Sequence, residues 1–146
     1  MEGLHREHAG HLWRSLVAFT GDPEVASDAM AEAFAQALGL GDQLREPLRW
    51  VWRVAFRVAA GELEDRGRRL RAIPPQVSEM DEPAAELVAA LGGLSPNQRA
   101  VLVLHYYAGY ATKEIAAIIG SSPATVRVHL SQGRKRLQRI FGEKGE

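Results

Sequence analysis

Apolar positions in this chain recur three and four residues apart, the spacing that builds one face of a helix. Residues 4–19 carry Leu12, Leu16, Val17 and Phe19, with Trp13 beside them, and predict a first helix. Gly21-Asp22-Pro23 turns the chain and starts a second helix over 23–38. Its inner face is Val25, Ala29, Met30, Ala33, Phe34 and Ala37, and Glu24, Asp28 and Glu32 recur four apart on its outer face. Gly39-Leu40-Gly41-Asp42 reads as a loop. Glu46-Pro47 opens a long third helix that reaches about Arg69. Leu48, Val51, Trp52, Ala55, Val58 and Ala59 give it a core face, and Trp50, Arg53, Phe56 and Arg57 lie elsewhere around it.

The pattern breaks at 73–83 (IPPQVSEMDEP), where paired prolines, three acids and no basic residue mark a linker. A short helix over 84–91 then leads through Gly92-Gly93 into three more helices. Ser95 and Pro96 supply the N-cap and first position of the next one, Val101, Leu102, Leu104 and Tyr107 its apolar face, and Gly109 its end. Thr112 is placed to cap a short helix over 113–119, with Ile115, Ala116, Ile118 and Ile119 inward. Gly120 breaks it, and Ser122-Pro123 starts the last helix.

Ala116, Gly120 and Val126 are the informative trio. Where two helices cross closely a small residue is needed, the turn needs a residue that tolerates left-handed backbone, and a branched apolar residue closes the pair. The last two helices therefore read as a helix-turn-helix. Leu130, Leu137 and Ile140 continue the inward stripe, while Thr125, Arg127, His129, Gln132, Arg134, Lys135, Arg136 and Arg139 point outward. A helix packed on one side and lined with long donors on the other can enter a DNA major groove. The whole is an all-α chain: one small helical domain over 1–72, a flexible linker over 73–83, and a helix-turn-helix domain over 84–146.

Charge sharpens this reading. The chain holds 18 Lys and Arg against 18 Asp and Glu, yet residues 99–146 hold eight basic against three acidic residues. Local positive charge is what phosphate binding requires, and a chain that is neutral as a whole suits a protein whose basic surface is local and whose other half meets protein. The chain has no cysteine, which excludes disulfides, thiol catalysis and Cys-based zinc sites. His5, His8 and His11 stand three apart, but they drift around the helix and no Asp or Cys completes a ligand set, so no metal is expected. No nucleophile, base and orienter set and no phosphate-binding glycine loop is present, so neither an enzyme nor a cofactor is expected. No apolar run approaches the roughly 20 residues of a membrane helix, and no signal peptide is visible; the expected compartment is the cytoplasm, with no membrane partner.

The C-terminal stretch resembles region 4 of bacterial sigma factors, particularly the small extracytoplasmic-function (ECF) type. The pattern Leu94-Ser95-Pro96-x-Gln98-Arg99, then Gly109, Glu114-Ile115-Ala116, Gly120, Thr125-Val126-Arg127 and Arg134-Lys135-Arg136-Leu137 follows that family over about 45 residues without a gap. Gly21-Asp22-Pro23 followed by 28–34 (DAMAEAF) looks like region 2.2, and Trp50-x-x-Arg53-Val54-Ala55 resembles regions 2.3 and 2.4.

The resemblance implies a sigma factor that brings core RNA polymerase to promoter DNA. Asp28 and Glu32 would meet the clamp helices of the polymerase β′ subunit, and the C-terminal domain the β flap. Arg127, His129 and Gln132 would read bases of the −35 element, with Thr125 beside them. Arg134, Lys135, Arg136 and Thr112 or Lys113 would hold phosphates. Trp50, Arg53 and Arg57 are the −10 candidates, with the loop around 39–44. An anti-sigma factor is a further partner the resemblance allows.

The match departs at one place. Where the family continues with Arg-Asn, then Asp, then a dense basic run, this chain has Phe56-Arg57, then Gly61, then Glu62, Leu63, Glu64 and Asp65. Carboxylates facing DNA phosphates repel them. The alternative expectation is therefore a sigma-like regulator with degenerate −10 recognition, which binds DNA or polymerase without initiating.

Overall fold

The computed structural model describes residues 2–69, 86 and 89–144, and all regular structure among them is helical. The predicted linker over 73–83 and most of the helix at 84–91 lie outside the described residues. The N-terminal group is α1 (Glu2–Thr20), α2 (Pro23–Leu40) and α3 (Pro47–Arg69), with a 3-10 turn at Gly41–Gln43. The C-terminal group is α4 (Pro96–Leu102), which runs into a π-helical turn at Val103–Tyr107, then α5 (Thr112–Ile119) and α6 (Pro123–Lys144).

Short-range chemistry sets the starts of these helices. At α2 the Asp22 carboxylate accepts from the backbone N–H of Glu24 at 2.8 Å and Val25 at 3.4 Å. Pro23, which has no N–H to satisfy, takes the first position. At α4, Ser95 Oγ accepts from Gln98 N and Gln98 Oε1 accepts from Ser95 N, both at 3.2 Å. This reciprocal capping box leaves two fewer orphan donors at the helix start.

In the N-terminal group α2 packs along both α1 and α3. Ala26, Ala29 and Ala33 are fully buried on α2 and let the helices approach closely. Phe56 is not off to one side of α3, as its spacing suggests, but in the core at 3% exposure. It stacks on Phe19 at 5.1 Å and on Trp52 at 6.0 Å between centroids. The reason is that α3 is covered by more than one neighbour, so its apolar arc is wider than a single stripe. Leu48, expected in that core, sits in the first turn and is exposed.

Two expectations in the C-terminal group also change. Tyr107, three residues after buried Leu104, should share its face; instead it is exposed. The π turn bonds Ala108 N to Val103 O at 3.0 Å, and the residue it adds per turn carries Tyr107 past the core direction. Thr112 is the first residue of α5 rather than its cap. Ala111 holds the extended cap position, and Glu114 Oε1 accepts from its N–H at 3.0 Å.

One hydrophobic cluster runs through both groups, from Leu12 and Trp52 to Ile115 and Leu130. The two helical domains are therefore packed on one another, with α5 lying against α3 and the π turn against α1. No pattern in the sequence announces that contact.

Candidate nucleic-acid interface

The helix-turn-helix is built as its trio requires. Ala116 is 4% exposed and Val126 fully buried. Gly120 between them has φ +73 and ψ +45, left-handed backbone that costs glycine least. Ser122 Oγ accepts from Thr125 N at 3.1 Å and donates to the Thr125 hydroxyl at 2.9 Å. Thr125, an outward base-reading candidate, thus also belongs to the cap of α6.

A feature not anticipated from the sequence fixes α6 on α4. Gly133 is buried, and a Cβ there would stand 2.9 Å from a Leu102 methyl group. The helices cross where only a hydrogen fits. The signal was available: a glycine seven residues after Val126 lies on the same inward line.

With Val126, Leu130 and Gly133 facing inward, the opposite side of α6 is open. Arg127, Gln132, Lys135, Arg136 and Arg139 are all exposed. Arg134 is exposed too, and donates to the Tyr106 hydroxyl at 2.7 Å. Gln98 Nε2 donates to Gln132 Oε1 at 3.4 Å, which orients the Gln132 amide. His129 stands at the flank, half-buried, with Nδ1 buried and unpaired. Lys113 is exposed at the start of α5, next to half-buried Thr112. Val128, absent from the sequence-based candidates, is 52% exposed in the middle of this face.

The candidates on α3 are placed differently. Trp50 is half-buried, and Arg53 and Arg57 are exposed. Trp50 and Arg53 line a cleft of about 450 Å³ with Gln43, Leu44, Arg45, Glu46 and Arg49, and Ala117 of α5 closes its far side. Arg49 forms an ion pair with Glu46 at 3.0 Å and with Glu114 of α5 at 3.1 Å. A Cβ on Gly120 would lie 3.7 Å from the Arg57 guanidinium. The helix-turn-helix therefore borders the α3 face that carries the −10 candidates, half-covering Trp50 while Arg53 and Arg57 stay exposed.

Aromatic rings also pack around the junction of the halves. Trp52 meets His11 edge-on at 5.4 Å and Tyr110 at 5.2 Å. His11 meets the Tyr107 ring at 5.3 Å, and Arg14 Nε donates to the Tyr107 hydroxyl at 2.9 Å. Arg99 lies 5.8 Å from the Phe19 ring centroid, and burial pulls its guanidinium below the ordinary arginine value. Burial raises the Tyr110 phenol above its ordinary value; Glu114 adds to the rise and Arg49 opposes it. His11 is thus half-buried at the junction of the halves.

Far from this contact, Asp28 and Glu32 are exposed on α2 together with Glu24. Glu62, Glu64 and Asp65 are exposed on the last turns of α3 that have described side chains. The acids therefore do reach solvent on the helix where the resemblance leads to the expectation of a basic run.

Comparison with known proteins brings these surfaces together. A family model described as Sigma-70, region 4 matches residues 84–137. The chain is 29% identical to the ECF RNA polymerase sigma factor SigL of Mycobacterium tuberculosis, over 99% of this chain and 90% of the relative. It is 30% identical to the RNA polymerase sigma-E factor of Streptomyces coelicolor, over 87% of this chain and 77% of the relative. Its fold matches the sigma factor RpoE in complex with the anti-sigma factor NepR from Bartonella quintana, with a TM-score of 0.76 at 21% identity, covering 97% and 98% of the two chains. It also matches CnrH in complex with the cytosolic domain of CnrY, with a TM-score of 0.75 at 21% identity, covering 97% and 87%.

Proposed function

The chain belongs to the RNA polymerase sigma factors of the extracytoplasmic-function type, and from that membership we propose how its surfaces divide the work. The protein directs core RNA polymerase to promoters, and it acts in the cytoplasm, where polymerase meets DNA. It makes and breaks no bonds itself; polymerase does the chemistry. The observation that carries the division of labour is the open basic face of α6 on a closed helix-turn-helix.

In this reading α6 enters the major groove of the −35 element. Arg127 and Gln132 address base edges, with Thr125 and His129 at the margins of the contact. Lys113, Lys135 and Arg136 hold phosphates, and Arg134 does so from its anchor on Tyr106. Asp28 and Glu32 on α2 meet basic residues of the polymerase β′ clamp helices, and the C-terminal domain meets the β flap. The α3 cleft serves the −10 element: an unpaired base stacks on Trp50 while Arg53 and Arg57 approach the backbone.

The packed arrangement cannot serve both elements at once. Sites near −10 and −35 are about 25 base pairs apart, which is about 85 Å of duplex. A compact chain of this length is only about 40 Å across. The halves must therefore separate when polymerase and promoter are engaged, with the segment between α3 and α4 as the tether. An anti-sigma factor that grips both halves would hold the packed arrangement; the partners present in the RpoE and CnrH structures support that reading.

The test is a reconstituted one: purified core RNA polymerase, this protein, and a library of promoter fragments scored for transcript starts. Defined starts preceded by a shared −35 motif are expected. Binding to core or to DNA without any transcript would replace this reading with that of a non-initiating regulator.

A further inference from the structure

The outer face of α6 carries one residue that hydrogen bonding cannot explain. Val128 is 52% exposed, while Val126 and Leu130, two positions to either side, are at 0% and 4%. Two helical residues subtend about 200°, so Val128 points directly away from the bundle. It takes no part in the hydrophobic core. A β-branched residue is also a poor helix former, so an exposed helical position gains nothing from it locally.

Its surroundings indicate what would cover it. Val128 is the sixth residue of α6, in the N-terminal part of a recognition helix that reaches base edges. Thr125, Arg127, Gln132 and Lys135 are exposed around it, a polar and basic rim that fits a polyanion rather than an apolar protein groove. In the major groove the base edges offer donors, acceptors and, on thymine alone, an apolar methyl group. A valine can bond to none of the donors and acceptors. It can pack on the methyl.

We propose that Val128 reads the C5-methyl group of a thymine in the −35 element and is a specificity-determining residue of this protein. The proposal rests on α6 being the −35 reader. It adds an apolar contact at the centre of a face otherwise made of hydrogen-bonding side chains, and it predicts a thymine at one position of the preferred sequence.

Base analogues test it. Holoenzyme assembled from the full chain and core polymerase is used to select its preferred −35 sequence from randomised duplexes. Each thymine of that sequence is then replaced, one at a time, by uracil, which lacks only the methyl group. At one position the native protein should bind uracil about fourfold more weakly, the change that burial of one methyl group brings. Val128→Ala should bind the thymine duplex about fourfold more weakly and should no longer distinguish uracil from thymine there. Val128→Ile, which keeps the branched contact, should still distinguish them. Because the side chain is exposed, thermal unfolding of the three proteins should coincide. If Val128→Ala and the native protein respond identically to uracil at every position, the proposal is overturned and α6 remains the reader through its polar groups. If the native holoenzyme selects no −35 sequence at all, the assignment of α6 falls and takes the proposal with it.

Discussion

The two helices assigned to promoter DNA are in opposite situations. The outer face of α6 is open from Thr125 to Arg139. The corresponding face of α3 is bordered by α5, where Arg49 pairs with Glu114 and Ala117 lines the cleft beside half-buried Trp50. Composition separates them as well: α6 holds six Lys and Arg against one acid, whereas α3 sets Glu62, Glu64 and Asp65 among its six arginines. One helix is ready to meet a duplex as it stands. On the proposed assignment the other is freed fully only when the neighbouring domain moves away. On the same assignment, double-stranded recognition by α6 needs no domain movement, whereas strand opening at α3 does.

Substitutions can break this contrast, and the largest effect is expected at Trp52. It is 2% exposed and joins α3 to α1 through His11 and to the C-terminal half through Tyr110. Trp52→Ala should lower stability by about 3–5 kcal/mol, measured by chemical denaturation, and should loosen the covered face while leaving the chemistry of the open one intact. Next come the two roles on α6. Arg127→Ala should weaken binding to the preferred −35 duplex by about 1–3 kcal/mol and relax one base position. Lys135→Ala should weaken binding to all sequences and lower the salt slope by about one unit. Indistinguishable titrations for the two variants would contradict the split between base and phosphate contacts.

Smaller effects sharpen the covered side. The Arg49–Glu114 pair is partly exposed, with side chains at 41% and 35%, so Arg49→Ala should cost no more than about 1 kcal/mol of stability. It should nonetheless increase the fraction of separated halves, seen as a larger radius in small-angle scattering. The smallest effect is a pH dependence. The packed state holds the Tyr110 proton more tightly than the unfolded chain does, since burial raises its phenol above the ordinary 10.0. This contribution to stability is fully present below pH 10 and is lost as pH rises beyond it. Tyr110→Phe should flatten the alkaline limb of the stability profile.

Much of this contrast was legible in the sequence, and the legible parts share a cause. Helices α1 to α6, the caps at Asp22, Ser95 and Ser122, and the turn at Gly120 depend on residues a few positions apart. The open face of α6 follows from the same period once Val126 and Leu130 are known to be inside. What the sequence hid was longer in range or smaller in signal. Phe56 entered the core because α3 is covered on more than one side, which a single periodic stripe does not convey. Tyr107 left its expected face because one extra residue in a π turn shifts the phase. The packing of α5 on α3 joins residues 65 positions apart, Arg49 and Glu114, and no local pattern encodes it. Val128 was visible all along as an apolar residue opposite Val126, but a search for donors passes over it.

The central claim is that α3 is covered in the free protein and uncovered on the promoter. The chain has no cysteine, so a pair of spin or dye labels can be placed by substitution alone. Leu38→Cys, at an 83% exposed position on α2, and Gln138→Cys, exposed on α6, keep clear of the proposed contacts. The distance between the labels is then measured in the free protein and in a transcribing complex with core polymerase and promoter. The account predicts one short distance in the free chain and a separation larger by tens of ångströms in the complex, on the scale of the about 85 Å between the two elements. An unchanged short distance in a complex that makes transcript would contradict it.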